Sequence, residues 1–357
     1  MKIISPIKGT AICLTDEKIK NNKNLIKCVI SAPADHKITV NSIPCSFDGT
    51  NWVAQIPVGK TDLLLTVTDH SDKQSENIKI TVFYTPQKTF RVSIDDGIWF
   101  LQDIAKHGYE SIFENPYLSM LKRLNKLYGA KFHINIYYTC PEHGGFSLNE
   151  LSDRYKDQWL EAKDWLVLSF HARADSPAYP YLNSDRETTR NHCEEVYKEI
   201  QRFAGYRNPV TTLHFAETTK EGVRGLYDCG IRALLGDYSY SSKGQRQLCY
   251  GATEEEFLSV RHNCFYKDPQ TDMIMFCCDA VLNCFTPQGV EEEMERFDKL
   301  YPDRSFIDIL IHEQYFYSDY KYYLPDYEER ITSGIRWCLD HGYKPGLLKD
   351  VIDFSKL

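Results

Sequence analysis

Strand-like apolar runs alternate with helix-type apolar spacing along most of this chain, from about residue 90 onward. The strand-like runs lie at 130–138, 165–170, 211–215, 231–236 and 306–312, and the helical patterns lie at 112–128, 151–163, 187–203, 220–229 and 327–341. Repeated strand–helix units bury a parallel sheet beneath helices, and a length of roughly 270 residues suits closure into a barrel. The sequence therefore predicts an α/β chain with a (β/α) barrel over residues 90–357.

The first 85 residues have a different texture, with short β-rich runs, turn signals such as Asp48-Gly49, and no helical period. The runs lie at 25–30, 37–40, 52–56, 63–68 and 78–83. Short strands at regular spacing favour an antiparallel sandwich. The stretch from Val40 to Asp69 resembles bacterial immunoglobulin-like modules, for which we expect a structural role. With a linker at 84–89, the chain is predicted to have two domains, an all-β sandwich over 1–85 and the barrel.

Composition narrows the possible partners and the compartment. The formal net charge is -8 and no block of Lys and Arg occurs, which argues against a nucleic-acid partner. No run approaches the roughly 18 to 20 apolar residues of a membrane span. The twelve Cys form no Cys-x-x-Cys pair, and Met1 to Gly9 lacks the apolar core of a signal peptide. We therefore expect a cytoplasmic protein with reduced thiols, or a secreted one if a leader has been removed.

Acids and imidazoles follow several of the predicted strands. They are Asp95, Asp96, His133, His171, Asp175, His214, His312 and Glu313. In α/β barrels the catalytic groups gather at this carboxyl edge of the strands. Isolated buried charges are costly unless they are paired or bound to a metal, and imidazole nitrogen with carboxylate oxygen is typical of hydrolytic divalent sites. The sequence thus predicts a divalent-metal site at the edge, whereas His133 is expected to be structural.

Three of these segments occur in the order of a known set of motifs. Asp95-Asp96-Gly97, His171 with Asp175 four residues later, and Ile311-His312 resemble the motifs of the polysaccharide deacetylases, carbohydrate esterase family four. The resemblance runs from about Phe90 to the C-terminus. It implies a distorted (β/α) barrel of the glycoside hydrolase and deacetylase type. It also implies a carbohydrate substrate from which acetyl groups are removed.

The resemblance also implies individual roles. Asp95 corresponds to the catalytic base and His312 to the general acid. Asp96, His171 and Asp175 correspond to the ligands of a divalent metal, with zinc as the expected ion.

The chain departs from the family where an Arg-Pro-Pro-Tyr type segment is expected. Leu213-His214-Phe215 stands there instead, so that His214 takes the place of the arginine. Four residues are predicted to line the site without a catalytic role: His214, Glu313, Trp99 and Tyr315. Trp99 and Tyr315 belong to this group because aromatic rings beside the site residues suit stacking against sugars.

Three functions compete at this stage. The leading hypothesis is a metal-dependent hydrolase that removes acetyl groups from an amino sugar or an acetylated glycan. The second is a catalytically degraded barrel that binds a glycan or a partner, which the missing Arg and Tyr favour and the retained Asp95, Asp96 and His171 oppose. The third is a glycosidase with Asp95 and Glu313 as its carboxylate pair.

Overall fold

Alternating apolar residues in the N-terminal part of the chain build two β-sheets that face each other across a small core. The computed structural model describes residues 1–356. The strands and the single short helix of this part are β1 Lys2–Ser5, β2 Thr10–Leu14, α1 Asp16–Lys20, β3 Leu25–Ser31, β4 Ile38–Val40, β5 Ile43–Pro44, β6 Ser46–Phe47, β7 Trp52–Pro57, β8 Leu63–Asp69 and β9 Gln74–Tyr84. One sheet has the order β1-β3-β7-β6, and β2-β9-β8-β4-β5 lie in the other. Ile30 and Ile56 from the first sheet pack with Val67 and Ile80 from the second.

All five β-rich runs predicted in this part are strands in the structure. Most neighbours pair antiparallel, as expected, but β2 pairs parallel with β9. The immunoglobulin-like assignment of this part stays a prediction.

Strands and helices alternate beyond Pro86. The elements are β10 Thr89–Gly97, α2 Trp99–His107, α3 Pro116–Tyr128, β11 Phe132–Thr139, α4 Lys156–Ala162, β12 Leu166–Ala174, α5 Arg186–Phe203, β13 Val210–Thr211, α6 Lys220–Asp228, β14 Ala233–Gly236, β15 Ser239–Tyr240, β16 Arg246–Gln247, α7 Glu254–Asn263, β17 Phe265–Lys267, β18 Ile274–Cys277, β19 Ala280–Val281, α8 Pro287–Leu300, β20 Phe306–His312, α9 Tyr327–Asp340 and β21 Lys344–Pro345. Among residues 1–356, no helix combines the length and the apolar character needed to cross a membrane.

The parallel strands close into a distorted barrel. The order around the barrel is β10, β11, β12, β13, β14, β18 with β19, and β20, which returns to β10. Strands β12 and β13 lie side by side in this order without a backbone ladder between them. The chain changes neighbour between β18 and β19, because Cys278 N donates to Gly236 O and Asp279 N donates to Asp308 O. The predicted barrel is thus present, with helices packed around it.

Element bounds differ from the prediction where local signals are strong. The helix predicted from residue 112 begins at Pro116, because the Asn115 side chain caps it by accepting from Leu118 N. The strand predicted to end at residue 170 continues to Ala174, and this extension affects the candidate site. The predicted strand at 211–215 is only Val210–Thr211.

One sheet joins the N-terminal part to the barrel. Strand β17 pairs antiparallel with β2 on one side and with barrel strand β18 on the other. Ala11 and Cys13 of β2 consequently belong to the barrel's hydrophobic core, whereas Leu14 belongs to the N-terminal core. The division into domains at 1–85 and 90–357 stays a prediction, and the structure adds that a continuous sheet crosses it.

A buried ion pair lies inside the barrel below the carboxyl edge. Arg91 Nε donates to Asp308 Oδ2 at 2.5 Å, and the Ser93 hydroxyl donates to the same carboxylate. Arg91 Nη1 donates to Nδ1 of His133 at 2.9 Å, which gives that histidine the structural role expected for it. Arg91 and Asp308 are essentially inaccessible to solvent, so each depends on the other for neutralisation.

We expect Asp308→Ala to destabilise the barrel by about 3 to 5 kcal/mol, because it leaves Arg91 buried without a counter-charge. Urea unfolding followed by circular dichroism measures the change. As the control, Glu328→Ala removes the exposed pair with Arg123 and is expected to cost less than about 1 kcal/mol. Equal effects of the two substitutions would contradict the assignment.

Candidate metal centre and active site

Two adjacent carboxylates, Asp95 and Asp96, line the same cavity at the end of β10. In a regular strand, neighbouring side chains point to opposite faces. Asp96 has a left-handed backbone with φ of 61°, and the pairing with β11 shifts its register between Ile94 and Gly97. This irregularity brings both acids to one side. An added Cβ on Gly97 would lie 2.6 Å from Cγ2 of Ile134, so glycine suits the close approach that follows.

Asp96, His171 and His214 bring three donor atoms together. His171 Nε2 lies 3.0 Å from Asp96 Oδ1, and His214 Nδ1 lies 3.2 Å from the same oxygen and 3.1 Å from His171 Nε2. At most 11% of each side chain is exposed. Donors bound to one ion at about 2.1 Å lie about 3.0 to 3.4 Å apart, for angles between those of octahedral and tetrahedral sites. The observed spacing fits a shared divalent ion.

The protonation of His171 also fits a cation. Its Nδ1 lies 2.6 Å from the carbonyl oxygen of Thr212, so Nδ1 carries the proton and donates. Burial lowers the pKa of His171 despite the opposing effect of Asp96, which favours the neutral ring. Nε2 of the neutral ring then directs a lone pair at the Asp96 carboxylate. The lone pairs of Nε2 and of the carboxylate face each other favourably only with a cation between them. In addition, metal-binding histidines usually donate their other ring N–H to a carbonyl or carboxylate, as Nδ1 does here.

Two further side chains hold the Asp96 carboxylate in place. The Tyr137 hydroxyl donates to Oδ1, and Gln314 Nε2 donates to Oδ2 at 2.7 Å. These two hydrogen bonds favour the ionised form of Asp96 against the cost of burial. Asp96 is thus an anionic donor whose orientation is fixed on both oxygens.

Asp95 is oriented by an amide. Asn135 Nδ2 donates to Asp95 Oδ1 at 2.7 Å. The amide cannot be reversed, because Asn135 Oδ1 accepts from the backbone N–H of Thr212 at 3.2 Å. Burial, and then the charge of Asp96, raises the pKa of Asp95 well above its usual range. The two neighbouring acids therefore differ in basicity, which suits one to binding a cation and the other to taking a proton.

His312 lies opposite Asp95 on the adjacent strand. The register of β10 with β20 pairs the two residues, and both line the cavity. Its Nδ1 lies 2.8 Å from the Asn283 side-chain oxygen, so Nδ1 is the donor and Nε2 remains for another partner. Burial lowers the pKa of His312, although the charge of Asp96 opposes the effect.

Asp175 is not brought to this group. Its Oδ2 accepts a hydrogen bond from the Cys140 thiol at 2.8 Å, and burial raises the pKa of the carboxyl. The physical reason is the length of β12, which continues through Ala174. Four residues of extended chain carry Asp175 about 13 Å beyond His171. The structure therefore puts His214, and not Asp175, beside Asp96 and His171.

The two aromatic residues predicted to line the site lie outside the residues that border this cavity. Trp99 begins α2 and stacks on His143, with ring centroids 3.5 Å apart and planes at 7°. The Tyr315 ring lies 6.0 Å from that of His312 and contacts Tyr320. Tyr315 is thus a neighbour of one residue that borders the cavity, whereas Trp99 packs against His143 and Tyr317.

Glu313 is a helix cap. Its two oxygens accept from the backbone N–H groups of Ile98, Trp99 and Phe100 at 2.6 to 3.1 Å, and the Tyr317 hydroxyl also donates to it. With both oxygens bound to the start of α2, Glu313 is not available as the second carboxylate of a glycosidase. It does not border the cavity either, contrary to the prediction.

The cavity itself measures about 320 Å³ and opens to solvent. This volume is within the range of small-molecule sites. Its remaining border is largely apolar and includes Leu213, Leu235 and Val281. Phe215 and Ala216 on one side have left-handed backbones, at φ of 63° and 45°. Such conformations cluster at functional sites, where the surrounding structure maintains them.

The sequence analysis missed the residues that hold the site residues in place. They are Asn135, Tyr137, Asn283 and Gln314. A signal for two of them exists, because His133, Asn135 and Tyr137 alternate with apolar residues along β11 and so share its inner face. A polar face within a buried strand indicates partners inside the barrel.

No protein-family model and no curated protein matches this chain. Among solved structures, it is similar to a family 4 acetyl xylan esterase from Clostridium thermocellum, with 11% identity and a TM-score of 0.42 over 76% of this chain and 93% of that one. A CE4 family pseudoenzyme from Bacillus anthracis shares 9% identity with a TM-score of 0.41 over 94% and 93% of the two chains. The 4-alpha-glucanotransferase from Thermococcus litoralis shares 15% with a TM-score of 0.46 over 70% and 37%. These similarities are too weak to assign a family.

Glu313 makes a pH-dependent contribution to stability. Burial raises its pKa from 4.5 to about 7, although four hydrogen bonds favour the ionised form. Between these values the unfolded chain has lost the proton and the folded chain retains it, so stability falls as the pH rises. We expect the free energy of unfolding of the wild type to fall relative to Glu313→Gln by about 3 kcal/mol from pH 4.5 to 7. Denaturant unfolding at several pH values measures this, and parallel curves would contradict it.

Proposed function

We propose that this protein is a divalent-metal-dependent hydrolase that removes acetyl groups from a carbohydrate. The observation that carries the proposal is the convergence of Asp96 Oδ1, His171 Nε2 and His214 Nδ1 within 3.2 Å of one another beside a cavity bordered by Asp95 and His312. Ligands, a candidate base and a candidate acid thus share one small space. Such a set is typical of metal-assisted hydrolysis.

Asp96, His171 and His214 would hold the ion. One carboxylate and two imidazoles suit zinc and other first-row divalent metals. When bound, the ion polarises the acyl carbonyl and lowers the pKa of water. Thr212 and Gln314 support the ligands by holding His171 and Asp96, respectively, in the orientation observed.

Asp95 is the proposed general base. Its carboxylate would take a proton from the attacking water on Oδ2, the oxygen that Asn135 leaves free. The raised pKa makes Asp95 a stronger base than an exposed aspartate would be. Asn135 fixes the direction of the carboxylate, which is the role that the resembled family gives to an arginine.

His312 is the proposed general acid. Asn283 holds Nδ1, so Nε2 is the atom that would deliver a proton to the leaving amine or alkoxide. Its lowered pKa makes the imidazolium a strong acid once formed. Base and acid come from two paired strands, so their side chains occupy adjacent positions. Asp95 can therefore approach the attacking water while His312 approaches the leaving group.

Carbohydrate as the substrate rests on the order of the Asp95-Asp96-Gly97, His171 and Ile311-His312 motifs. The competing function is glycan or partner binding by a barrel without activity. The absence of the Arg-Pro-Pro-Tyr type segment, in whose place Leu213-His214-Phe215 stands, favours that alternative. Metal content and hydrolysis separate the two functions.

We expect protein purified without chelator to contain near-stoichiometric divalent metal by elemental analysis. Asp96→Ala, His171→Ala and His214→Ala should each lose it, because each removes one of three donors. Asp175→Ala is the matched control and should retain it. Loss in Asp175→Ala with retention in His214→Ala would restore the ligand set expected from the sequence. A metal-free wild type, even after reconstitution, would contradict the proposed mechanism.

We expect acetate release from a panel of N-acetylated and O-acetylated oligosaccharides. Asp95→Asn and His312→Gln should each lower kcat by about 10²- to 10⁴-fold while metal content stays unchanged, since they remove proton transfer and not a ligand. Asp175→Asn serves as the control for activity. Full metal occupancy without acetate release from any member of the panel would favour the binding function.

A further inference from the structure

A second cluster of reactive side chains lies where the sheet crosses from the N-terminal part into the barrel. Strand β17 pairs antiparallel with β18, and Phe265 faces Phe276 in that register. The residues one step further along, Cys264 and Cys277, are therefore opposite each other. Both are buried, with 2% and 0% exposure. The two side chains are neighbours, and in the present geometry Cys264 Sγ lies 3.7 Å from Phe306 O and Cys277 Sγ lies 3.6 Å from Asp279 Oδ1.

A buried guanidinium contacts one of the two sulfurs. Arg304 Nη2 lies 3.3 Å from Cys277 Sγ and donates to Arg261 O at 2.6 Å. Nε and Nη1 of Arg304 have no hydrogen-bond partner among residues 1–356. The nearest carboxylate oxygen, on Asp279, is 3.6 Å away. Because arginine stays charged when buried, an anion beside it is strongly favoured, and the Cys277 sulfur is the closer candidate.

We propose that Cys264 and Cys277 form a redox-active dithiol that a hydroperoxide converts into a disulfide. The Cys277 thiolate attacks the peroxide, an S–O bond forms as the O–O bond breaks, and hydroxide leaves. The Cys264 sulfur then gives up its proton and displaces hydroxide from the sulfenic acid, so that an S–S bond forms and the S–O bond breaks. With hydrogen peroxide, two thiols are oxidised and one peroxide is reduced to two molecules of water.

The electrostatics match this order of events. The hydrogen bond with Cys264 lowers the pKa of Cys277 to about 6, and the charges of Arg304 and Arg261 act in the same direction against burial. Burial raises the pKa of Cys264 well above its usual value. Cys277 is accordingly the attacking thiolate and Cys264 the resolving thiol.

A cavity reaches Cys264 and the guanidinium that contacts Cys277, whereas Cys277 itself does not border it. Cys264 and Arg304 border a cavity of about 300 Å³ that Lys18 and Leu25 border from the N-terminal part. Hydrogen peroxide is close to water in size and fits this cavity. The disulfide would tie the end of α7 to β18 and thereby fix β17, the strand that joins the two parts of the chain.

The chain contains a second buried pair that serves as an internal control. Cys193 of α5 and Cys229 at the end of α6 are also neighbours. The nearby Arg207 guanidinium is bound by Glu194, and burial raises the pKa of Cys193 well above its usual value. This pair should resist peroxide. Cys278, next to Cys277 in sequence, donates to Ala280 O and provides a matched single-residue control.

Treatment of the folded, reduced protein with graded hydrogen peroxide tests the proposal. Intact mass should fall by about 2 Da, the two hydrogens lost in disulfide formation. Alkylation after denaturation should label ten of the twelve cysteines. Peptide mapping should place the link between Cys264 and Cys277. In Cys264→Ser the reaction should stop at a sulfenic acid on Cys277, which dimedone traps, while Cys278→Ser should behave like the wild type.

Peptide mapping on the wild type does not depend on any variant folding. Absence of the Cys264–Cys277 link at peroxide doses that already oxidise the exposed Cys284 would overturn the proposal. A link that forms first between Cys193 and Cys229 would also overturn it, because the pair without a free guanidinium would then be the more reactive. Neither result depends on the metal centre or on any hydrolytic activity.

Discussion

The pairing of β10 with β20 in a single register is the interaction on which the rest of the site depends. That register sets Arg91 opposite Asp308 and Asp95 opposite His312. The lower pair neutralises itself inside the barrel, and the upper pair reaches the cavity. A slip of one residue would turn every inner side chain to the outer face. The buried ion pair opposes such a slip, because it would place two charges among the apolar residues beneath the helices.

Sequence patterns predicted the barrel and much of the site because both depend on local periodicity. The two-residue period of polar and apolar side chains identifies the inner face of β11. The predicted ends of the strands place five residues at the carboxyl edge, namely Asp95, Asp96, His171, His214 and His312. The group of three donor atoms was harder to predict. The i to i+4 spacing of His171 and Asp175 places both side chains on one side only if the chain leaves the strand after His171. In this protein the strand continues, and a histidine from a different strand end supplies the third donor. Only the tertiary structure determines which distant strand end lies nearest to Asp96 and His171.

Long-range pairing explains the remaining differences. Short strands such as β17 and β18 carry no period long enough to predict, and their partners lie far away in sequence. The sheet that runs from β18 through β17 to β2 and β9 could not be read from composition, which changes abruptly near residue 85. Backbone hydrogen bonds between the strand edges form this junction. Such pairing requires no particular pattern of side chains, so the sequence does not predict it. The same junction brings Cys264 opposite Cys277, a pairing that sequence distance alone does not suggest.

The barrel lacks a backbone ladder beside the candidate metal centre. Strands β12 and β13 end two separate hydrogen-bonded sheets, so no backbone ladder joins them. Side chains make the connection instead: Ser169 donates to Val210 O, Thr211 donates to Phe170 O, and His171 donates to Thr212 O. His171 comes from one side of this seam and His214 from the other. An ion held by both would bridge the seam, so that binding free energy would also stabilise barrel closure.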